Sequence, residues 1–275
     1  MKKFVSKIGV LALSFLLLFG CSSNNGNAGG SDDKNTSVVL TVGATEAPHA
    51  IILEHIKEDL AAVGVDLVVK SFGDYTLLNP SLNDKQIDAN FFQHIPYLEN
   101  YVNNSGHNLV EVTKVHIEPI GIYSSKINNL DDLPDNAIVA IPNDATNGAR
   151  ALLLLESLGI ITLKENVSFS ATIHEIADNP KNVVIRELDA VTLPRTLSET
   201  DISVINTNFA LEAGLSPSKD AIAMESSNSP YANILVVREE NLNNEAVQKL
   251  AAALNSQKLR EFLEENYGED IVPAF

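Results

Sequence analysis

Three stretches of the 275-residue sequence gather side chains able to hold a small polar ligand. The first is Asp88-Ala89-Asn90-Phe91-Phe92-Gln93-His94-Ile95-Pro96-Tyr97, in which rings are interleaved with donors and acceptors. Thirteen aromatic residues follow position 20, and six of them fall between residues 72 and 101: Phe72, Tyr75, Phe91, Phe92, Tyr97 and Tyr101. Such a mixture fits an amphipathic cavity wall, and taken alone it fits the packed core of one lobe slightly better. The second stretch, Ile141-Pro142-Asn143-Asp144-Ala145-Thr146-Asn147-Gly148-Ala149-Arg150, leads from a strand into a helix N-terminus. Free backbone N–H groups there favour an anion, and Arg150 can add a bidentate grip on a carboxylate. An ordinary cap with an exposed arginine is the equal alternative. The third pairs Asn206-x-Asn208 with Asn228-Ser229-Pro230-Tyr231-Ala232-Asn233. Asparagine offers a donor and an acceptor together, which suits an amine beside a carboxylate; it is also common in turns.

Signals for catalysis are missing. The sequence has no G-x-S-x-G elbow, no P-loop and no G-x-G-x-x-G. His174-Glu175 begins like a zinc-protease motif, but Asp178 stands where the second His belongs, so it reads as a solvated helix start. The chain is therefore expected not to be an enzyme and to need no cofactor. One Cys excludes an intramolecular disulfide and any Cys₄ or Cys₂His₂ zinc site. The six histidines, His49, His55, His94, His107, His116 and His174, show no local metal-ligand spacing.

The charge balance is 19 basic against 36 acidic residues, net −17. Lys2, Lys3 and Lys7 are the only charged residues before position 21, and without them the balance is 16 against 36, net −20. Nucleic acid is thereby excluded as a general partner, because phosphates are bound by replacing their counterions with basic side chains.

Those lysines open an address. Ile8 to Phe19 is a run of twelve mostly apolar residues, short of the roughly 20 a spanning helix needs, and residues 1–20 read as a secretory signal. Leu18-Phe19-Gly20-Cys21 resembles the bacterial lipobox, which implies cleavage before Cys21 and lipid, palmitate included, on the new N-terminus. Two or more acyl chains give stable membrane anchoring. Residues 21–37 then form a polar, flexible tether.

From Val38 onward strand-like and helix-like pieces alternate. Strands are expected at Val38–Val42, Val65–Val69, Leu109–Val115, Gly121–Ser125, Ile138–Ile141, Val183–Ile185, Ile202–Ile205, Ala221–Met224 and Ile234–Val237. Helices are expected at Ile51–Val63, Tyr75–Leu82 with an interruption at Pro80, Ile95–Asn104, Gly148–Leu158, Leu193–Glu199, Glu245–Asn255 and Lys258–Tyr267. The alternation argues for an α/β protein with largely parallel sheets in two lobes. Ligands of such folds sit beyond strand carboxyl ends or in the interlobe cleft.

Several separated motifs carry a resemblance: Asp74-Tyr75, Ile87 to His94, Pro142-Asn143-Asp144 with Thr146-Asn147 and Arg150, Asn179-Pro180-Lys181, Leu193-Pro194-Arg195, Val204-Ile205-Asn206 and Ser229-Pro230-Tyr231-x-Asn233. In their order and spacing the chain resembles the NlpA-type methionine-binding lipoproteins of bacterial ABC importers, from about Val38 to Phe275. The resemblance implies a two-lobed fold of the type II periplasmic-binding-protein kind, with an interlobe ligand cleft and two crossovers. Lobe 1 would be 38–117 plus 227–275, and lobe 2 would be 118–226. It implies that Tyr75, Phe92, His94, Tyr97 and His116 surround the side chain of bound methionine. Arg150 would pair with its carboxylate, and Asn147, Asn206 and Asn233 would bond its carboxylate and amine. The implied partners are a permease with its ATPase and, through Cys21, the membrane; the protein itself is expected to be a monomer on the extracytoplasmic side. The competing reading is a metal-ion-binding lipoprotein receptor of an ABC importer, which the six histidines and the net charge would permit.

Overall fold

The computed structural model describes residues 37–275. The signal, Cys21 and nearly all of the tether lie outside the described residues.

The chain starts with strand β1 (Val38–Ala44), helix α1 (Ile51–Ala62) and β2 (Val65–Ser71). Helix α2 (Leu78–Asn83), β3 (Ala89–His94), α3 (Ile95–Ser105) and β4 (Leu109–Ile117) follow. After β5 (Gly121–Tyr123) come β6 (Ile138–Pro142), α4 (Ala145–Ser157), the short pair β7 (Thr162–Leu163) and β8 (Ile176–Asp178), β9 (Val184–Leu188) and β10 (Ile202–Ile205). Helices α5 (Thr207–Glu212) and α6 (Pro217–Asp220), strands β11 (Ala223–Met224) and β12 (Ala232–Arg238), helices α7 (Glu245–Leu254) and α8 (Gln257–Tyr267) and β13 (Val272–Pro273) complete it.

The strands form two main sheets, each the centre of one lobe. One has the order β13-β4-β12-β3-β1-β2, the other β11-β5-β10-β6-β9. The chain passes from the first sheet to the second between Ile117 and Gly121, and returns between Met224 and Ala232. Each lobe has its own core. Leu40, Val42, Ile52, Ile56 and Leu60 belong to the first, and Ile122, Val139, Ile141, Leu152, Leu155 and Val204 to the second. Full burial of such a side chain contributes about 1.5–3 kcal/mol.

Helix α1 shows how pattern becomes packing. Ile52, Ile56 and Leu60 recur every four residues and are 0% exposed, fixing one face against the sheet. Val63, read from the same spacing as a fourth member, lies past the helix end and is 50% exposed. Gly64 follows with φ +81°, the left-handed turn that ends the helix.

Several expectations need correction. The sheets are mixed rather than largely parallel: β1–β2, β1–β3, β6–β9 and β6–β10 are parallel, while β12 is antiparallel to both β3 and β4, and β5 to both β10 and β11. Strand β12 enters the first sheet on the chain's return from the other lobe and so runs against its neighbours. The helix expected at Leu193–Glu199 is a 3₁₀ segment, Ala190–Thr196, with Pro194 inside it; proline withholds the N–H that a longer α-helix would use. Pro80 does not interrupt α2 but lies in its first turn, where no intrahelical donor is needed. Helix α4 begins three residues earlier than the pattern gave, at Ala145, capped by Asp144. There Gly148 permits close approach, since a Cβ would lie 3.0 Å from the Pro142 carbonyl oxygen.

The aromatic stretch holds the largest surprise, because Ala89–His94 is a strand buried at every position. Its polar members hide the strand pattern. Inside the lobe they satisfy one another: Asn79 Nδ2 donates to Gln93 Oε1 (2.9 Å), Asn90 Nδ2 to Asn79 Oδ1 (2.9 Å) and Gln93 Nε2 to Asn90 Oδ1 (2.9 Å). Among the described residues no helix is long and apolar enough to cross a membrane.

Candidate functional site

One cavity is lined by residues from both lobes. Strand register sets much of it. Asn233 on β12 lies opposite His94 on β3 and opposite His116 on β4, so three separated polar residues form one row. Beyond the carboxyl end of β10 the chain delivers Asn206, Thr207 and Asn208, and the first turns of α4 deliver Asn147 and Arg150. His94 ends its strand by capping α3, with Nδ1 accepting the Tyr97 N–H at 3.2 Å.

Of the nine residues expected at the site, Tyr75, Phe92, His94, Tyr97, Asn147, Arg150, Asn206 and Asn233 line this cavity. His116 does not; it reaches the cavity only through Glu118, to which its Nε2 donates at 2.7 Å. The cavity adds Gln93, Glu118, Thr207 and Asn208. Asn208 is half of the Asn206-x-Asn208 pair and was within reach of the sequence. Glu118 stands two residues after His116 at a strand end, and only the fold reveals that spacing as a contact.

One side of the cavity is aromatic. The rings of Tyr75, Phe92 and Tyr97 lie 5.7–6.0 Å apart, centre to centre, and Phe209 closes against Tyr75 at 4.8 Å. The Tyr75 hydroxyl donates to Asn208 Oδ1. Burial raises the Tyr75 and Tyr97 hydroxyls well above their usual pKa, so both keep their protons.

The other side is polar. Arg150 is 3% exposed. Its Nε and Nη2 donate to the Glu225 carboxylate (2.5–3.2 Å), Nη2 also donates to the Glu118 carbonyl oxygen (2.7 Å), and the guanidinium stacks 4.3 Å from the Tyr231 ring centre. The two-pronged grip expected for a ligand carboxylate is thus made to Glu225. Nη1 takes part in none of these bonds and is the nitrogen available to a ligand. The expected helix N-terminal anion site is likewise filled from within, since Asp144 Oδ1 accepts the Asn147 N–H at 2.9 Å.

Glu118 joins the lobes. One carboxylate oxygen accepts from His116 and lies 3.3 Å from His49 Nε2, and the other accepts the Asn208 backbone N–H at 3.1 Å. Burial alone would raise its pKa; the His49 ring, the bond from His116 and the Arg150 charge outweigh it and hold the carboxyl below its usual value. Facing a carboxylate, His49 Nε2 must carry the ring proton, while Nδ1 pairs with the Thr45 hydroxyl at 2.7 Å. Nε2 then donates to Asn233 Oδ1 at 3.1 Å, which leaves the Asn233 NH₂ for the cavity. Two further amide atoms in the lining, Asn206 Oδ1 and Asn208 Nδ2, are buried without a partner. The polar side therefore offers donors (Arg150 Nη1, Asn208 Nδ2, Asn233 Nδ2) and acceptors (Asn206 Oδ1, Glu118) together, as a zwitterion requires.

Two buried histidines make this arrangement acid-sensitive. Burial, then the Arg150 charge, lowers His94 to about 3; burial lowers His49 to about 4 against the pull of Glu118. Unfolded, both titrate near 6.5. Below that pH the unfolded chain binds more protons, so stability present in full above pH 6.5 is lost as pH falls toward 4. At pH 5 the loss is roughly 2 kcal/mol per ring. The melting temperature measured by calorimetry is expected to be lower at pH 5 than at pH 7 by roughly 10 °C; equal values would mean the rings are not held neutral.

His49, His116 and Glu118 also offer three ligand atoms within 4.8 Å of one another. Each of these side chains already has a protein partner, as described above, and the cluster reads as an internal hydrogen-bond network.

A family model described as NlpA lipoprotein matches residues 40–275. The D-methionine-binding lipoprotein MetQ of Salmonella typhi is 41% identical over 261 residues, 94% of this chain and 93% of that one. The methionine-binding lipoprotein MetQ of Bacillus subtilis is 38% identical over 273 residues, covering 97% of each. Among solved structures, a nutrient binding protein from Burkholderia cenocepacia bound to methionine is 42% identical with a TM-score of 0.84, over 86% of this chain and 100% of that one.

Proposed function

The chain belongs to the NlpA lipoprotein family, and from that premise we propose that it is an extracytoplasmic receptor that binds methionine between its lobes and delivers it to an ABC importer permease. The observation that carries the reading is the cavity in which an aromatic box meets a zwitterion-like set of donors and acceptors. A thioether is apolar and polarizable, and contacts between sulfur and aromatic rings contribute about 0.3–1.5 kcal/mol each; Tyr75, Phe92 and Tyr97 supply them in this reading. Arg150, Asn208 and Asn233 take the carboxylate, Asn206 and Glu118 the ammonium, and Asn147 and His94 orient Asn206. The protein acts by binding, not by catalysis.

The metal-receptor alternative is set aside. The relatives are named for methionine, and the compact His/Glu cluster found among the described residues bonds internally. Relatives named for D-methionine and for methionine alike leave both enantiomers as ligands to test.

The lobes are taken as 38–117 with 227–275, and 118–226, hinged at the two crossovers. In this reading the arrangement in which Tyr75 meets Asn208 and His94 meets Asn147 across the cavity is the closed one, and the closed monomer would dock on the permease and its ATPase. The relatives' designation as lipoproteins supports an anchor at Cys21 after removal of residues 1–20. Cys21→Ser is expected to move the protein from the membrane fraction to the soluble one, read by fractionation and immunoblot. The binding function is tested by the mass of the small molecule released when the purified protein is unfolded: methionine or a methionyl compound is expected, and a stoichiometric unrelated molecule would contradict the reading.

A further inference from the structure

The acceptor that the cavity offers to an ammonium group is set by a residue outside the lining. Asn147 Nδ2 lies 3.1 and 3.0 Å from the two carboxylate oxygens of Asp144. A carboxylate accepts and does not donate, so the Asn147 amide has one orientation, nitrogen toward Asp144 and oxygen away. That oxygen accepts from Asn206 Nδ2 at 2.8 Å and from His94 Nε2 at 3.1 Å. The His94 tautomer agrees, because its Nδ1 accepts the Tyr97 N–H and the proton is on Nε2. Asn206 must then aim its nitrogen at Asn147, which leaves its Oδ1, buried and without a partner, as the atom it presents.

We propose that Asp144 is a positioning residue: through Asn147 it holds Asn206 as an acceptor, and so makes the cavity select ligands that carry an α-ammonium group. The inference rests on the methionine reading and names what that reading leaves open, namely why an amide able to face either way presents oxygen. Without an acceptor at position 144 only the His94 Nε2–H still holds the Asn147 oxygen in place, so the amide, and Asn206 with it, turns over more readily, and an NH₂ would then meet the ligand's ammonium.

Asp144 also caps α4, so the test must separate orientation from folding. Asn and Ser both cap helices well, and Asp144→Asn and Asp144→Ser are expected to keep the melting temperature close to that of the wild type. The purified full-length protein, stripped of ligand, is titrated with methionine and with 4-(methylthio)butanoate, which has the same thioether and carboxylate but no amine. The wild type is expected to prefer methionine by about 10- to 100-fold, the range for one hydrogen bond to a charged group. Asp144→Ser is expected to shrink that preference about tenfold while changing affinity for the amine-free analogue little, whereas Asp144→Asn, whose Oδ1 can still accept both the Asn147 N–H and its Nδ2, is expected to keep it. Asn206→Ala is expected to shrink it too, and Asp144→Ser to add nothing further in the Asn206→Ala background. An unchanged preference in Asp144→Ser, including equal loss for both ligands, overturns the proposal. So does a further loss in the double variant, which would mean that Asp144 acts on the ammonium by charge alone. A wild type that binds no methionine is a separate outcome: it overturns the functional reading, and this inference with it.

Discussion

Replacing Arg150 with alanine is expected to weaken methionine binding by one to two orders of magnitude. The guanidinium is buried, and its Nη1 is the only positively charged donor among the residues lining the cavity. A hydrogen bond to a charged group is worth about 1.5–3 kcal/mol, and 1.4 kcal/mol is tenfold in affinity. The loss has a second source. Glu225, 17% exposed, would keep its charge without its partner, and breaking a buried pair on one side costs more than the pair contributes. Arg150→Lys is expected to rescue little. A lysine is a point charge, whereas this position serves Glu225, the Glu118 carbonyl and a ligand from one planar fork. Titration calorimetry measures both variants, and wild-type affinity in Arg150→Ala would remove this residue from the site.

Glu118→Ala is expected to be the most destabilising single change at the site. Two donors lose their acceptor at once, His116 Nε2 and the Asn208 backbone N–H, and the His49 ring loses the carboxylate 3.3 Å away. An unpaired buried polar group costs about 1–3 kcal/mol, and relaxation recovers part of the total, so a loss of about 3–5 kcal/mol is expected, comparable to breaking a buried ion pair. For a protein of this size that lowers the melting temperature by roughly 6–20 °C. Binding should suffer as well, because Asn208 hangs from one end of this carboxylate and Asn233 is oriented by His49 at the other. Glu118→Gln keeps the shape and one acceptor oxygen and should lie between wild type and alanine. A Glu118→Ala protein that melts with the wild type would show that the carboxylate does not tie the lobes together.

The sequence discloses some of this readily. Helix α1 is legible from Ile52, Ile56 and Leu60 alone, because a helix buried on one face must repeat its apolar residues at that spacing. Short apolar strands such as Ile202–Ile205 are legible for a similar reason. Strand β3 is not: Asn90, Gln93 and His94 break its apolar run; the amides that satisfy Asn90 and Gln93 come from Asn79 and from the strand itself, and His94 bonds to Asn147 and the Tyr97 N–H. Tertiary hydrogen bonding overrides local pattern there. The mixed sheet direction is hidden too, since β12 pairs with strands more than a hundred residues earlier.

The site divides in the same way. The residue types that could hold a ligand stand out along the chain, and their motif order carries the family resemblance. What each polar atom does depends on partners distant in sequence. Arg150 looks like a free two-pronged cation until Glu225, 75 residues on, is seen to occupy that edge. Asn147 looks like a ligand contact until Asp144, Asn206 and His94 are seen to use its whole amide. The position of Glu118 between two histidines follows from β4 lying beside β12 and near His49, an outcome of topology that no spacing along the chain encodes.

The central claim is that this cavity takes the methionine zwitterion and its side chain together. Titration calorimetry of the purified, ligand-stripped protein tests it most directly. One saturable site for methionine is expected, with a negative heat-capacity change as the thioether leaves water. No binding heat with L-methionine, D-methionine or a methionyl dipeptide at any temperature tried would contradict it.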